Sequence, residues 1–127
     1  MKRGRPAIDV VAVLAAAAAR LLPADELGPG AAEARVDRFF LQALADPRLG
    51  DATSILRAGA ARLFAERFLL LDEAAQDAVV ARFIDEEFMR ILLVLTLEGF
   101  LADPKHGGNH DGIGWHLLGF SPQGRAR

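Results

Sequence analysis

The sequence predicts an all-α protein, a small bundle of about five helices followed by an ordered, glycine-rich C-terminal loop. Apolar residues recur at intervals of three and four along most of the chain, as on one face of a helix. No segment shows the period-two alternation between turn signals that is typical of a strand. Residues 96–120 differ, because they hold the only Trp, all three His and six of the twelve Gly. A chain of 127 residues forms one domain, here 1–127.

The first helix is predicted over residues 6–22. Pro6 and Asp9 suit the start of a helix, and Pro23 ends it. Between them the segment is rich in alanine, with a few larger apolar side chains. Residues 27–30, Leu-Gly-Pro-Gly, form a connector to the next helix.

The second helix is predicted over residues 31–45, where the apolar side chains share one face and an Asp-Pro pair follows. Asp51 or Thr53 is expected to cap the third helix. The leucines at 69–71 are expected to extend that helix as far as Asp72.

Asp72 is expected to begin the next helix, because negative charge is favourable at a helix N-terminus. Beyond the acidic residues 85–87, residues 91–97 are apolar on all sides. A helix that is apolar all round is buried all round. This segment is therefore predicted to be the central helix of the bundle, or a helix sandwiched between the bundle and a partner. The pattern leaves open whether it continues the preceding helix.

The last helical run is expected to end near residues 102–104, because a proline disfavours helix at the residue before it. Gly107, Gly108 and Asn109 tolerate positive φ, so the chain can turn sharply there. Further glycines then separate large apolar side chains, which are Ile113, Trp115, Leu117, Leu118 and Phe120. Trp115 either anchors a partner or folds back to plug the end of the bundle, and the two interpretations are compatible.

A metal site in this loop is not predicted. His106 and His110 have the spacing of a zinc pair on a helix, but the glycines between them disfavour a helix. His116 and Asp111 could complete a site made from the loop. Closed metal sites need a defined ligand geometry, which such a loop does not promise.

A catalytic role is also weaker than a structural one. Glu98 with Asp103 or Asp111 would form an acid–base pair. The favoured interpretation is that Glu98 accepts hydrogen bonds from N–H groups of the loop, while Asp103 and Asp111 form turns. The glycines at 28–30 and 112–114 neither follow a strand nor complete G-x-G-x-x-G, so the dinucleotide fingerprint fails.

Composition excludes several other classes of function. The net charge of −2 implies no general affinity for nucleic acid, and the absence of Cys excludes disulfides and thiolate sites. No run reaches the roughly 18 to 20 apolar residues of a membrane span. Residues 10–19 are read as helix rather than as a secretory signal, and residues 2–5 are not a twin-arginine motif. With 52% hydrophobic residues, some apolar surface is expected to meet a partner.

The stretch from Thr96 to Phe120 resembles the signature of the gluconate 2-dehydrogenase subunit 3 family. The matching residues are Thr96, Leu97, Glu98, Gly99, Phe100, Asp103, Pro104, Gly107, Gly108, Asn109, Asp111, Gly112, Gly114, Trp115, Leu118, Gly119 and Phe120. A weaker match runs from residues 21–25 into residues 28–31. With the helices between them, the resemblance covers nearly the whole chain.

The resemblance implies a non-catalytic small subunit whose partner is a large flavoprotein dehydrogenase of the glucose–methanol–choline type. That partner holds FAD and oxidises a sugar or a sugar acid, and a cytochrome c subunit with haem c often passes its electrons to the membrane. The small subunit is expected to support folding, cofactor loading and export of the large one. It is also expected to hold no catalytic, cofactor-binding or metal residues itself.

The residues expected to bind the partner or to structure the loop are Glu98, Phe100, Asp103, Pro104, Gly107, Gly108, Asn109, Asp111, Gly112, Gly114, Trp115, Leu118 and Phe120. By resemblance the compartment is the periplasm. Because the chain shows no export signal, we expect either the cytoplasm or export together with the partner. Two alternatives remain, a small enzyme that uses the loop from Glu98 to Trp115, and a free-standing homo-oligomeric bundle.

Overall fold

The computed structural model describes residues 8–120, and within that range the chain forms six α-helices. They are α1 (Val10–Leu21), α2 (Val36–Ala45), α3 (Asp51–Ala65), α4 (Glu73–Phe83), α5 (Glu87–Leu101) and α6 (Ile113–Leu118). Short 3₁₀ turns lie at Pro47–Leu49, Phe68–Leu70, Pro104–His106 and His110–Gly112. The only extended pairing in the described range is an isolated bridge between Asp25 and Gly28. The all-α prediction is confirmed.

Two aspartates begin helices where the sequence predicts them. The Asp9 carboxylate accepts a hydrogen bond from the backbone N–H of Ala12 over 2.9 Å, at the start of α1. Asp72 does the same for the N–H of Ala75 at the start of α4, also over 2.9 Å. Each satisfies one of the N–H groups that a helix start leaves without a partner. Pro6, the other residue predicted to begin α1, lies outside the described residues.

Two arginines in the left-handed conformation shorten two predicted helices. Arg35 has φ 56°, so α2 begins only at Val36. Arg67 has φ 58°, so α3 stops at Ala65 and residues 69–71 do not continue it. A left-handed residue breaks the helical hydrogen-bond ladder, and long side chains rarely adopt it. Neither break is therefore signalled by the local residue pattern.

The predicted caps of α3 are also wrong. Gly50 occupies the N-cap position with φ 61° and ψ −135°, and no side chain caps the helix there. Asp51 is instead the first residue of the helix, where its charge still suits the positive end of the helix dipole. Thr53 lies within the first turn, and its backbone N–H donates to the carbonyl oxygen of Gly50.

The core forms around α1, which packs against α2, α3, α4 and α5. Its buried residues are Val13, Leu14, Ala17 and Ala18, all with no exposed surface. Two of these four are alanines, so the neighbouring helices can approach closely. The alanine-rich pattern of this helix thus serves packing from several sides.

The prediction that residues 91–97 are buried all round is wrong. A turn separates α4 from α5, and α5 packs against α1, α2, α3 and α6. Leu92 and Leu95 are buried against the bundle, whereas Val94 is 56% exposed and Leu97 is 43% exposed. The alternative, a helix sandwiched between the bundle and a partner, stays a prediction.

Candidate functional site

The glycine-rich loop begins where the sequence predicts. Helix α5 ends at Leu101, and the Asp103 carboxylate accepts a hydrogen bond from the N–H of Lys105 over 3.0 Å. Gly107 has φ 104° and Asn109 has φ 47°, so both take the positive φ expected of them. The chain therefore reverses within a few residues and returns along the end of α5.

Asn109 fastens this reversal. Its side chain has no exposed surface, and its Nδ2 donates to the carbonyl oxygen of Ala102 over 2.8 Å. Its Oδ1 accepts from the N–H of Gly114 over 2.6 Å, with a longer contact of 3.4 Å to the N–H of Trp115. The loop N–H groups of Gly114 and Trp115 therefore donate to Asn109. The sequence had suggested Glu98 as their acceptor instead.

Two glycines allow the loop to lie directly on the last turns of α5. A Cβ atom on Gly108 would stand 2.2 Å from the carbonyl oxygen of Gly99. A Cβ atom on Gly114 would stand 1.9 Å from the carbonyl oxygen of Phe100. Both distances are far below van der Waals contact, so any side chain would push the loop off the helix.

Trp115 folds back onto the same helix end. Its indole Nε1 donates to the carbonyl oxygen of Leu101 over 2.7 Å. The last carbonyls of a helix have no partner within the helix, so Trp115 and Asn109 between them satisfy two of these groups. The indole ring meets the ring of Phe120 edge-on, with 5.3 Å between the centroids. Trp115 is still only half-buried, so its outer edge remains open to a partner.

The two segments that carry the family resemblance touch each other. The N–H of His110 donates to the carbonyl oxygen of Ala34 over 3.0 Å, which ties the loop to the α1–α2 connector. In the same connector, a Cβ atom on Gly28 would stand 2.7 Å from the Cδ1 atom of Leu117. Sequence spacing gave no signal for either contact, because the partners are far apart in the chain.

An exposed apolar strip runs along α5 and onto the loop. Val94, Leu97 and Leu101 have the spacing of one helix face, cover about 10 Å of its length and are all partly exposed. Trp115 meets the end of this row through its bond to Leu101, and Phe120 extends it with 47% of its surface exposed. We call these five residues the α5 strip.

Glu98 lies beside the α5 strip, at the junction of three adjoining grooves of about 560, 630 and 430 Å³. It lines all three, and Phe39 and His106 line two of them with it. The side chain is exposed, and its carboxylate accepts no hydrogen bond from residues 8–120. Sequence reasoning missed Phe39, which is distant in the chain and reaches this site through the packing of α2 on α5.

The predicted site residues fall into three groups. The buried residues are Phe100, Gly108, Asn109 and Gly114. The half-buried residues are Pro104, Gly107, Gly112 and Trp115. The exposed residues are Glu98, Asp103, Asp111, Leu118 and Phe120. The buried group holds the loop on the bundle. The exposed group is available to a partner.

Few ionisable groups gather in this region. Between residues 8 and 120, no three His, Asp or Glu side chains are placed to hold a metal ion together. His110 Nε2 lies 3.3 Å from a carboxylate oxygen of Asp111, and neither side chain is buried.

None of the helices within residues 8–120 is both long enough and apolar enough to cross a membrane.

The fold and the site define a small helical bundle whose glycine-rich C-terminal loop is fastened against one helix end. The sequence matches the family model described as gluconate 2-dehydrogenase subunit 3 over residues 9–122, which is most of the chain. The chain therefore belongs to this family, whose name implies a subunit of a dehydrogenase complex. Neither the curated proteins nor the solved structures gave a match.

Proposed function

We propose that this chain is a non-catalytic small subunit that binds the large, FAD-containing subunit of a sugar or sugar-acid dehydrogenase and assists its maturation. The observation that carries the proposal is the α5 strip. Its residues Val94, Leu97 and Leu101 are exposed on α5, and Trp115 and Phe120 extend the row from the loop. Other side chains of α5, such as Leu92 and Leu95, are buried against the bundle. Apolar residues rimmed by polar ones in this way typically mark a protein–protein contact.

The loop makes this surface rigid before the partner arrives. Trp115 and Asn109 hold it to α5 by side-chain hydrogen bonds, and close glycine contacts leave it little room to move. A preformed surface loses less conformational entropy on binding, so more of the burial free energy appears as affinity. Full burial of a large apolar side chain contributes about 1.5–3 kcal/mol, and these residues are already partly covered.

The maturation role follows because binding of the small subunit is coupled to folding of the large one. A subunit that binds only the folded large subunit stabilises that state by mass action. As the family resemblance implies, we assign FAD to the large subunit. Where the complex includes a cytochrome, haem c belongs to a third subunit.

The test is coexpression of the large subunit with and without this chain, followed by the flavin absorbance of the purified large subunit. We expect soluble, flavin-loaded large subunit only when the chain is present. Equal flavin content in both cases would contradict the maturation role.

A matched pair of variants tests the surface. Val94→Glu places a charge in the α5 strip and is expected to abolish co-purification. Leu70→Glu is the control, because Leu70 is 80% exposed and lies in the turn that packs on α3 and α1. If both variants bind the large subunit as the wild type does, the α5 strip is not the interface. A chain that forms a dimer, which Val94→Glu dissociates, would favour the homo-oligomer instead.

A further inference from the structure

Three carboxylates line the grooves beside the α5 strip: Asp46 and Glu87 line one groove each, whereas Glu98 lines all three. The other walls of these grooves include Phe39, Leu95 and Leu101. The 630 Å³ groove is the most apolar in composition, with Glu98 and His106 as its only ionisable residues. A partner that covers the α5 strip would therefore remove Glu98 from water.

Within residues 8–120, no lysine, arginine or histidine forms an ion pair with Glu98. Arg48 lines a neighbouring groove but binds Asp46, with 2.8 Å between the charged atoms. That hydrogen bond lowers the pKa of Asp46, which is consistent with a formed pair. Arg90 lies on the same helix at the far end of another groove, about 12 Å away along the axis. His106 shares two grooves with Glu98 but forms no ion pair with it.

Burial of an unpaired carboxylate is strongly unfavourable, whereas burial with a hydrogen-bonded cation is tolerated. A large subunit that covers Glu98 in its charged form must therefore bring a positive charge to this point, or leave the surface around Glu98 wet. The wet arrangement would leave the apolar walls of the grooves uncovered. The charge of Glu98 thus restricts which surface of the large subunit can bind here more than the apolar side chains do.

We infer that Glu98 is a specificity-determining residue of the interface and pairs with an arginine or lysine side chain of the large subunit. This inference rests on the proposed function. The cation enters the junction of the three grooves, and apolar side chains beside it cover Val94, Leu97 and Leu101. An arginine fits best, because its planar guanidinium can bind both carboxylate oxygens.

The test uses the intact complex, whose purification is followed by its flavin absorbance. The purified complex is then diluted at low and at high salt concentration. The quantity measured is the dissociation constant of the small subunit. We expect Glu98→Gln to raise it by at least about 10-fold at low salt and to flatten its salt dependence, because a charge pair is what salt screens. Glu98→Lys should weaken the complex further, since like charges then meet.

Two controls separate this inference from its alternatives. Asp85→Asn removes a charge from the exposed α4–α5 turn and should leave the dissociation constant unchanged. The unfolding midpoint of free Glu98→Gln should equal that of the wild type, since the Glu98 carboxylate makes no hydrogen bond or ion pair within residues 8–120. If Glu98→Gln binds with the affinity and salt dependence of the wild type, the inference fails while the proposed function stands. If the wild-type chain forms no complex with the large subunit, the proposed function itself fails.

Discussion

The side-chain amide of Asn109 donates to the carbonyl oxygen of Ala102, over 2.8 Å. Ala102 directly follows the last residue of α5, and its carbonyl has no partner within the helix. The Oδ1 atom of the same side chain accepts a hydrogen bond from the N–H of Gly114, at the start of α6. One buried side chain therefore joins the end of one helix to the beginning of the next.

Asn109→Ala is expected to lower the free energy of unfolding by about 3 kcal/mol, because it leaves buried backbone groups unpaired and puts an alanine at positive φ. Urea unfolding followed by circular dichroism measures this. Lys105→Ala is the control, since it changes an exposed side chain of the same loop and should cost less than about 0.5 kcal/mol. Equal losses in the two variants would show that Asn109 does not hold the loop.

Two glycines of the loop should respond differently to a methyl group. Gly112→Ala meets no atom closer than 4.0 Å but has φ 72°, so it should cost only about 1–2 kcal/mol of strain. Gly114→Ala places its Cβ atom 1.9 Å from a carbonyl oxygen of α5 and should cost at least about 3 kcal/mol. Thermal unfolding of both variants compares them. The reverse order would mean that the loop does not lie on α5 as described.

Trp115→Phe is expected to lower the free energy of unfolding by about 1 kcal/mol, because it removes the indole donor to Leu101 and keeps an aromatic ring against Phe120. Trp115→Leu should lose more, since the aromatic pair also disappears. Chemical denaturation of the two variants measures the difference. A stability of Trp115→Phe equal to that of the wild type would argue that the indole hydrogen bond contributes nothing.

Acid should weaken the fold partly through Asp77. Its hydrogen bond with Arg20, at 2.7 Å, lowers the pKa of the carboxylate below its ordinary value of 3.8. A lowered pKa in the folded state gives stability that is present above the ordinary pKa and is lost as pH falls through the folded-state pKa. Asp77→Asn should therefore lose less stability than the wild type between about pH 5 and pH 2.

Urea midpoints at several pH values test this, with Asp85→Asn as the control. The Asp85 carboxylate makes no hydrogen bond or ion pair within residues 8–120, so this variant should follow the wild-type pH profile. An identical acid response in Asp77→Asn and wild type would mean that the Arg20 pair does not influence stability.

Much of the fold could be predicted because its signals are local. Asp9 and Asp72 cap the helices that directly follow them, and Pro104 ends the helical run just before it. The left-handed Arg35 escaped prediction because an arginine carries no turn signal. Its guanidinium binds Asp37 over 2.8 Å, a contact that exists only once the chain has turned.

The sequence by itself determined that the protein is helical, where α1 and α4 begin, where α5 ends, and that a tight glycine-rich turn follows α5. These features depend on residues within a few positions of each other, so composition and spacing suffice. Tertiary structure decided which side of the uniformly apolar residues 91–97 stays exposed, because only the placement of neighbouring helices distinguishes one face from another. It also decided that Asn109 rather than Glu98 binds the loop, because burial and distance select between two suitable acceptors. Glu98 was thereby left outside, with its carboxylate turned to the surface that a partner would cover.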